Sequence, residues 1–430
     1  MAKRFFIKTL GCKVNQYESQ IMREALSSSG SEESFREDSA DVFVVNTCAV
    51  THRADAESRR FVRYCHRKNP RSKIIVTGCC VETDAEAYSR LPGVSEVIRN
   101  RDKARIARIV SRAEKNGPRP RVPESITGFE GHAKAFVKVQ DGCANRCSYC
   151  CVPLVRGPLK SRQTEDIVRE ADALIKNGFK ELVLTGICLG AWGIDLSKGP
   201  ALIEVLRALE AIPGDHRIRL SSIEPGYITD ELIGYIATHK RLCRHLHIPL
   251  QSGDDEILRR MNRPYTVADF MSVVRTARKK IPGIGVSTDV IVGFPGESDR
   301  HFANSVTLIR EMLPVRAHIF PFSRRKGTAA YQYRDAVTSS VITERSRTLC
   351  EVAGETSYRF RERFIKRSLD VLVESRRSGT TALLEGYTDN YIHVELDGPD
   401  HFLGEIVRVS VDRVTPEKTI CSLLNSGPRG

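Results

Sequence analysis

A chain of 430 residues is too long for one small core, and its 41% hydrophobic and 28% charged residues exclude an intrinsically disordered protein. It has no apolar run of about 18 residues and no apolar region typical of a secretory signal, so the sequence predicts a cytoplasmic protein without a membrane partner. The formal net charge of +14 favours an anionic partner such as nucleic acid, although a generally basic protein has the same charge.

The chain carries 13 cysteines, which is a high number for a protein without an export signal. An odd count in uneven clusters argues against a disulfide framework and favours metal binding or catalysis. The cysteines are therefore the first candidates for a functional site.

Residues 1–117 alternate short apolar runs with amphipathic helical patterns. The runs RFFIKTL, DVFVVNT and SKIIVTG are rich in Val, Ile and Phe, which predicts strands. Helices are expected from Asn15 onwards and over residues 54–68. This alternation predicts a domain with a parallel βαβ sheet and right-handed crossovers.

A cysteine follows each of these three strands, namely Cys12, Cys48 and Cys79. The carboxyl ends of parallel strands meet at one edge of a sheet, so we expect the three thiols to lie close together. The alternative is that they are small buried residues at strand ends, because free cysteine is often a core residue.

The remaining chain divides into a linker and two further predicted domains. Residues 118–134 are rich in proline, glycine and polar residues, which predicts the linker. Six strand candidates alternate with helices over 135–365, which predicts a partial (β/α)6 barrel with a trailing helix and a catalytic surface at the strand carboxyl ends. Residues 366–430 contain short β runs between turns and predict a small all-β, OB-like domain. The predicted fold class is therefore α/β with a C-terminal all-β domain.

The segment GCANRCSYCCVP places Cys143, Cys147 and Cys150 in a CxxxCxxC spacing. A structural zinc site needs four ligands, and no second CxxC or HxxxH motif lies nearby in the sequence. Three thiolates would instead leave the fourth iron of a 4Fe-4S cube open for an exogenous ligand.

Two further cysteines directly follow a candidate ligand. Successive side chains diverge, so Cys151 is predicted to be a packing residue. The spacing alone does not decide whether Cys79 or Cys80 faces the sheet edge.

The CxxxCxxC loop after the first barrel strand resembles the signature of radical S-adenosylmethionine (SAM) enzymes, with the aromatic Tyr149 between the second and third cysteines. The resemblance implies that Cys143, Cys147 and Cys150 hold a 4Fe-4S cluster. It also implies that the amino and carboxyl groups of SAM chelate the open iron, and that reductive cleavage of SAM yields a 5′-deoxyadenosyl radical.

Nearly the whole chain resembles the methylthiotransferase branch of these enzymes. TLGCKVNQYES, NTCAVT and VTGC are similar to its N-terminal domain, whose three cysteines hold an auxiliary cluster and here correspond to Cys12, Cys48 and Cys79. RIRLSSIEP, HLHIPLQSGDDEILRRMNRPYT, TDVIVGFPGES and FPFSRRKGTAA are similar to its barrel motifs. The final β domain looks like the RNA-binding TRAM domain of that branch.

Within the branch, KTLGCKVNQYES, NTCAVT and LSSIEP most resemble the enzymes that modify N6-threonylcarbamoyladenosine in tRNA. The resemblance implies a transferase that methylthiolates carbon 2 of this base next to the anticodon, with one SAM as methyl donor and another as radical source. One alternative is an enzyme that acts on isopentenyladenosine in tRNA. Alternatives of another class are a non-catalytic iron–sulfur electron carrier and an RNA-binding protein stabilised by zinc.

The same resemblance implies two 4Fe-4S clusters and S-adenosyl-L-methionine as cofactors. The implied partners are a tRNA anticodon stem-loop, an electron donor such as a flavodoxin or ferredoxin, and a sulfur source. A radical cofactor is needed because acid–base chemistry at neutral pH does not remove an aromatic hydrogen.

Further contacts are expected at strand ends and in basic segments. Glu224 would suit a ribose or amino contact because its carboxylate is an acceptor, and the alternative is a loop carboxylate. His245 and His247 alternate along a barrel strand and are predicted to be core histidines. The residues predicted to contact the cofactor are Tyr149, Gly186, Ser222, Glu224, Gln251, Ser252 and Gly293. The residues predicted to contact RNA, by charge or by stacking, are Arg324, Arg325, Lys326, Arg363, Lys366, Arg367, Tyr387 and Tyr391.

Overall fold

The structure is a computed structural model that describes residues 3–111, 125–197, 199, 201–376 and 383–424. Residues 118–124 of the predicted linker lie outside the described residues, as do residues 112–117, 377–382 and 425–430 of the predicted domains around it. The chain forms two compact units. The N-terminal unit comprises residues 1–130, 141–159 and 323–331, and the C-terminal unit comprises residues 131–140, 160–322 and 332–430.

The N-terminal unit is built on a five-stranded parallel sheet with the strand order β2-β1-β3-β4-β5. The prediction of a parallel βαβ sheet is confirmed, and the two edge strands β2 and β5 are additional to the three predicted ones. The helices and strands of this unit are β1 Arg4–Thr9, α1 Lys13–Ser28, β2 Glu32–Glu33, β3 Val42–Thr47, α2 His52–Lys68, β4 Lys73–Gly78, α3 Cys79–Ser89, β5 Val94–Ile98 and α4 Ile106–Ser111.

The central strand β3 explains why helices cover both faces of this sheet. All six of its residues are buried, and alternate residues enter two separate hydrophobic clusters. Phe43 packs in the cluster that contains Val62 of α2, whereas Val44 packs in the cluster that contains Met22 of α1. A strand buried on both faces is typical of a parallel sheet, and its carboxyl end is the edge at which ligands bind.

The C-terminal unit contains two three-stranded parallel sheets, β10-β9-β6 and β11-β12-β13. Two isolated parallel bridges, Ile218↔Leu242 and Ser222↔His247, connect them, so six parallel strands form the predicted partial barrel. In chain order the elements are β6 Ala135–Lys138, β7 Gln140–Asp141, α5 Val152–Arg156 (in the N-terminal unit), β8 Lys160–Ser161, α6 Thr164–Lys176, β9 Glu181–Thr185, α7 Leu202–Glu210, β10 Arg217–Leu220, α8 Asp230–Thr238, β11 His245–His247, α9 Asp255–Arg260, α10 Val267–Lys280, β12 Gly285–Val292, α11 Asp299–Met312 and β13 Arg316–Pro321.

A long helix leads from the partial barrel into a small closed β-barrel with the strand order β14-β15-β16-β18-β17. The last strand was not predicted from the sequence. The elements are α12 Ser339–Glu362, β14 Ser368–Arg376, β15 Leu383–Thr388, β16 His393–Asp397, β17 Ile406–Val414 and β18 Thr419–Leu423. Among the helices of the described residues, none has the length and apolarity required to cross a membrane.

A buried ion cluster joins the small barrel to the strands of the C-terminal unit. Arg217 and Arg219 both bind Glu181, at 2.6 and 2.8 Å, and Arg219 also donates to the backbone carbonyl of Asp389 at 2.9 Å. Burial acts to raise the pKa of Glu181, but the two guanidinium groups hold that pKa well below its usual range. The carboxylate is therefore ionised, and the charges are paired as buried charges must be.

Candidate functional site

Three strand ends of the N-terminal unit each present a cysteine, and we call Cys12, Cys48 and Cys79 the strand-end trio. Cys12 precedes the first residue of α1, Cys48 directly follows β3, and Cys79 is the first residue of α3 after β4. The strands β1, β3 and β4 are neighbours in parallel register, so their carboxyl ends lie side by side. The topology thus brings together three residues that are far apart in the sequence.

A glycine allows two of these strand ends to approach closely. Gly11 has a φ of +98°, a conformation that disfavours a side chain, and a Cβ placed there would lie 2.6 Å from the sulfur of Cys48. Asn15, which is fully buried, donates to the carbonyls of Leu10 and Thr47 at 2.8 and 2.9 Å. These contacts fix the end of β1 against the end of β3.

The thiols of the strand-end trio lie near enough to influence one another. Burial, with smaller contributions from the thiols of Cys79 and Cys12, raises the pKa of Cys48 to about 12. Cys48 and Cys79 are buried, whereas Cys12 is exposed at the rim.

The structure also distinguishes the ligand candidates from their neighbours in sequence. The Cys80 thiol donates to the carbonyl of Cys48 at 2.9 Å, and the Cys151 thiol points to the carbonyl of Ala49 at 3.4 Å. Both side chains belong to the hydrophobic core cluster beside β3 and β4. Cys80 and Cys151 are therefore packing residues with a backbone partner.

The loop of residues 142–151 carries Cys143, Cys147 and Cys150, which we call the loop trio. Backbone hydrogen bonds hold the loop: Cys150 donates to the carbonyl of Cys147, and Cys143 donates to that of Gly157, both at 3.1 Å. Asn145 donates its backbone N–H to the sulfur of Cys143 at 3.4 Å. Burial is the main cause that raises the pKa of Cys150 to about 12, and the thiols of Cys147 and Cys143 contribute.

An arginine that follows the loop trio reaches the residues beside the strand-end trio. The side chain of Arg156, at the end of α5, is 2% exposed and donates to Glu18, Asn15 and Asp141. Glu18 also binds the buried ammonium of Lys103. Within the described part of the chain, the buried Nε atom of Arg156 has no hydrogen-bond partner. Sequence reasoning missed this cluster because its members come from four separate segments.

Charge connects Arg156 to the strand-end trio as well. Burial acts to lower the pKa of its guanidinium, but Glu18, Cys79 and Asp141 raise that pKa well above the ordinary value. Burial raises the pKa of Cys12, and the charge of Arg156 acts in the opposite direction. Arg156 therefore partly offsets the cost that burial imposes on a thiolate at Cys12.

The spacing of the thiols can be compared with what different metals require. One zinc ion, with Zn–S bonds of about 2.3 Å, holds tetrahedral thiolates roughly 3.8 Å apart. Among the residues that the structure describes, neither trio has its three sulfur atoms within 4.8 Å of one another. A 4Fe-4S cube binds each thiolate at a different iron and so needs a wider spacing. The spacing therefore does not fit three thiolates on one zinc ion, and the cluster at each trio stays a prediction.

The C-terminal unit carries most residues that were predicted to contact a cofactor, and each follows a parallel strand. Glu224 follows β10, and its carboxylate binds the buried guanidinium of Arg263. Burial raises the pKa of Glu224 despite this cation. Gly293 has a φ of +76°, and its N–H donates to the Glu297 carboxylate at 2.7 Å. Gly186 follows β9, Ser222 follows β10, and Gln251 and Ser252 follow β11.

These residues share one edge of the C-terminal unit, whereas Tyr149 belongs to the N-terminal unit. Tyr149 is half-buried in the loop of the N-terminal unit. Gln251 adopts a φ of +69°, and Ser252 is 1% exposed. Their contact with a cofactor stays a prediction.

The residues predicted to contact RNA occupy several environments. Arg363, Lys366 and Arg367 are exposed between α12 and β14. Tyr391 stacks on His245 with ring centroids 4.3 Å apart, and on Tyr387 at 5.0 Å, so these aromatic rings already have partners inside the C-terminal unit.

The basic segment after β13 belongs to the N-terminal unit. Lys326 is exposed and Arg324 is half-buried, whereas Arg325 is 8% exposed and its guanidinium lies 3.3 Å from the Nδ1 atom of His52. Arg325 is therefore less accessible to a phosphate than Arg324 and Lys326. Its role in RNA binding stays a prediction.

Two family models match separate parts of the chain. The Radical SAM superfamily matches residues 137–309, and the Uncharacterized protein family UPF0004 matches residues 4–99. Among solved structures, the radical S-adenosylmethionine methyltransferase TsrM from Kitasatospora setae, with cobalamin and a 4Fe-4S cluster bound, has a TM-score of 0.53 and 16% identity over 75% of each chain. At this identity the likeness concerns the fold alone.

Curated relatives cover almost the full length. The threonylcarbamoyladenosine tRNA methylthiotransferase MtaB of Bacillus subtilis (strain 168) is 36% identical over 94% of this chain and 92% of its own, and MtaB of Thermotoga maritima is 37% identical over 96% and 95%. The tRNA-2-methylthio-N(6)-dimethylallyladenosine synthase of Clostridium tetani is 31% identical over 95% and 94%. The chain therefore belongs to the methylthiotransferase family of radical SAM proteins.

Proposed function

We propose that this protein is a tRNA methylthiotransferase that places a methylthio group on carbon 2 of N6-threonylcarbamoyladenosine next to the anticodon. The observation that carries the proposal is that one compact unit holds two separate cysteine trios, one at a sheet edge and one in a loop. The proposal is supported by the relatives named for threonylcarbamoyladenosine, which share 36% and 37% identity with nearly the whole chain.

The loop trio would hold one 4Fe-4S cluster, and the strand-end trio would hold a second. Cys143, Cys147 and Cys150 would hold the cluster that, with SAM, would supply the radical chemistry needed to remove a hydrogen atom that acid–base chemistry leaves in place. One SAM would donate the methyl group and another would be the radical source. The contribution of the chain is to fix the thiols: backbone hydrogen bonds shape the loop, and Asn15 and Arg156 hold the sheet edge.

The strand-end residues of the C-terminal unit would bind SAM. Glu224 is kept in place by Arg263, so its carboxylate is oriented for a donor such as a ribose hydroxyl or an ammonium group. Gly186, Ser222, Gln251, Ser252 and Gly293 follow other strands at the same carboxyl edge, which is where parallel barrels bind ligands. Tyr149 would contribute from the loop of the cluster.

For tRNA, the exposed Arg363, Lys366 and Arg367 are proposed to contact phosphates of the anticodon stem-loop. Arg324, Arg325 and Lys326, together with the aromatic rings of Tyr387 and Tyr391, are the other proposed contacts. Replacing Lys366 and Arg367 with glutamine should weaken tRNA binding. It should also reduce the slope of log K against log[salt] by roughly 0.7 to 0.9 for each lost phosphate contact. A slope equal to that of the wild type would remove both residues from the interface.

The reaction also requires reducing equivalents and sulfur. An electron donor such as a flavodoxin or ferredoxin would reduce the first cluster, and a sulfur source would renew the sulfur that each turnover transfers to the base. Both partners are part of the proposal, because reductive cleavage of SAM would consume an electron and each transfer to the base would consume a sulfur atom.

Nucleoside analysis of tRNA tests the proposal directly. In a strain that lacks this protein, we expect threonylcarbamoyladenosine to accumulate without its methylthio form, and expression of the protein should restore that form. Chromatography with mass spectrometry distinguishes the two nucleosides. If the lost nucleoside is instead the methylthio form of isopentenyladenosine, the enzyme acts on the alternative substrate, as the Clostridium tetani relative is named to do.

Metal analysis separates this proposal from the non-enzymatic alternatives. Anaerobically reconstituted protein should hold about eight irons, four for each trio. Zinc in place of iron would favour an RNA-binding protein with structural zinc. About four irons, and so a single cluster, would be consistent with an electron carrier or with an enzyme that has no auxiliary sulfur site.

A further inference from the structure

Three side chains on neighbouring strands of the C-terminal unit form a cluster with the composition of a metal site. His247 ends β11, Asp289 lies within β12, and His318 lies within β13. One ligand atom from each, a ring nitrogen or a carboxylate oxygen, lies within 4.8 Å of the other two. We propose that this His–Asp–His triad binds a divalent transition-metal ion.

The register of the strands explains how the triad forms. Asp289 pairs with His318 across β12 and β13, and His247 pairs with Ser287, two residues before Asp289 on the same face of β12. The residues that flank Asp289 on its strand, Thr288 and Val290, are fully buried on the opposite face. The triad is therefore not part of the hydrophobic core, although the sequence predicted a core histidine at position 247.

The hydrogen bonds around His247 are compatible with metal binding. Its Nε2 atom lies 3.0 Å from an oxygen of Asp289, and its Nδ1 atom lies 2.9 Å from the hydroxyl of Ser287. Ser287 is fully buried and also bonds the Nε2 atom of His245 at 2.8 Å. A hydroxyl both donates and accepts, so Ser287 keeps its bonds whichever nitrogen of His247 carries the proton.

Metal binding requires the proton of His247 to reside on Nδ1. Ser287 then accepts from that Nδ1–H and donates to His245, and the lone pair of the His247 Nε2 atom faces Asp289. An ion between these two atoms replaces the proton that otherwise joins them. A ligand histidine whose other nitrogen donates to a fixed acceptor is the usual arrangement at metal sites.

The ligand types select the class of ion. Two imidazoles and one carboxylate suit Fe(II), Mn(II), Co(II) or Zn(II), whereas Mg(II) and Ca(II) prefer oxygen ligands throughout. The side chains of His247 and Asp289 are 13% and 24% exposed, so the ion has access to solvent. Three protein ligands leave coordination positions open for water or for an oxygen of a bound molecule.

A predicted cofactor residue lies beside the triad. Burial raises the pKa of Glu224, and among the smaller influences on that pKa are the charges of Asp289 and His247. Glu224 itself is held by Arg263 and is thereby paired. The open positions of the ion would therefore lie near the carboxyl ends of the parallel strands of the C-terminal unit. The existence of the triad site does not depend on the proposed function.

Manganese titration provides the test, since Mn(II) binds nitrogen and oxygen ligands and has a strong EPR signal in its free form. The protein is loaded with its clusters, which are EPR-silent when oxidised, and is titrated with MnCl2 anaerobically without tRNA or SAM. We expect one bound Mn(II) per chain. The variants His318→Gln and Asp289→Asn should lose this binding, and Ser287→Ala should weaken it by about 10–100-fold.

A matched control is His239→Ala, which removes a half-exposed histidine of the same unit outside the triad and should leave Mn(II) binding unchanged. The proposal is overturned if the wild type binds no stoichiometric Mn(II), or if His318→Gln and Asp289→Asn bind it as the wild type does. The wild-type titration decides alone if a variant fails to fold. Neither outcome depends on methylthiolation, so failure here leaves the proposed function intact.

Discussion

The N-terminal unit contains two cysteine trios that are assembled in opposite ways. The loop trio lies within eight consecutive residues, and backbone hydrogen bonds among neighbouring residues shape it. The strand-end trio comes from three separate β-α units, and it exists only because β1, β3 and β4 pair in parallel. The first should depend mainly on its own ligands, whereas the second should also depend on distant residues that hold the strands.

The largest expected effect is loss of a ligand from the loop trio. Cys147→Ala should abolish the cleavage of SAM, because the cluster that binds SAM loses one of three thiolates. The measurement is 5′-deoxyadenosine formed under reducing conditions. Cys151→Ala is the control, since this buried thiol points to the backbone carbonyl of Ala49, and it should retain cleavage. Cleavage by Cys147→Ala at the wild-type rate would contradict the assignment of this trio.

Loss of a ligand from the strand-end trio should have a more selective effect. Cys48→Ala should still cleave SAM but should no longer form methylthiolated tRNA, because only the second cluster is affected. Both products are measured in one reaction by chromatography. Cys80→Ala, which removes a core thiol from the next strand end, should keep both activities. Methylthiolated tRNA from Cys48→Ala would refute the auxiliary role.

The strand-end trio can also be disturbed without removing a ligand. Gly11→Ala would place a Cβ 2.6 Å from the sulfur of Cys48, so we expect the protein to lose part of its iron, up to about four atoms. Gly30→Ala is a matched control, because Gly30 also has a positive φ, of +82°, but nothing lies within 4 Å of its added Cβ. Equal iron content in the two variants would show that close approach at Gly11 is unimportant.

Of the changes proposed, substitution of Arg156 should affect the reaction least, although it should affect the stability of the protein. Arg156→Met should lower the free energy of unfolding by about 3–5 kcal/mol, because it leaves the carboxylate of Glu18 with only Lys103 as a cation. Urea unfolding measures this difference. Arg169→Met, which breaks an exposed pair with Asp166, should change stability by less than about 1 kcal/mol. If both variants lose a similar free energy of unfolding, Arg156 does not stabilise the sheet edge.

The pattern of apolar residues predicted much of the fold, because each strand and helix has a pattern that lies within a short segment of the chain. Alternating apolar runs identified β1, β3 and β4 and the strands of the partial barrel, and the parallel sheets confirm this prediction. The edge strands β2 and β5 were missed because they are short or half-exposed, so their apolar pattern is weak. The last strand β18 was missed although it closes the small barrel.

Sequence reasoning also reached the candidate ligands, but not the residues that support them. The CxxxCxxC spacing is visible in the printed sequence, and parallel topology alone was enough to group Cys12, Cys48 and Cys79. Arg156 and Lys103 gave no signal, since a charged residue in a helical pattern is usually exposed. Their burial against Glu18 depends on contacts between distant segments.

The sequence by itself determined the alternation of the main strands and helices, the family and the positions of the six cysteines, because these depend on spacing along the chain. Only the tertiary structure decided that Cys80 and Cys151 face backbone carbonyls, that Arg156 is buried beside the sheet edge, and that His247, Asp289 and His318 converge. The physical reason is that burial and charge pairing arise between residues far apart in the chain, and no local pattern encodes which of them meet.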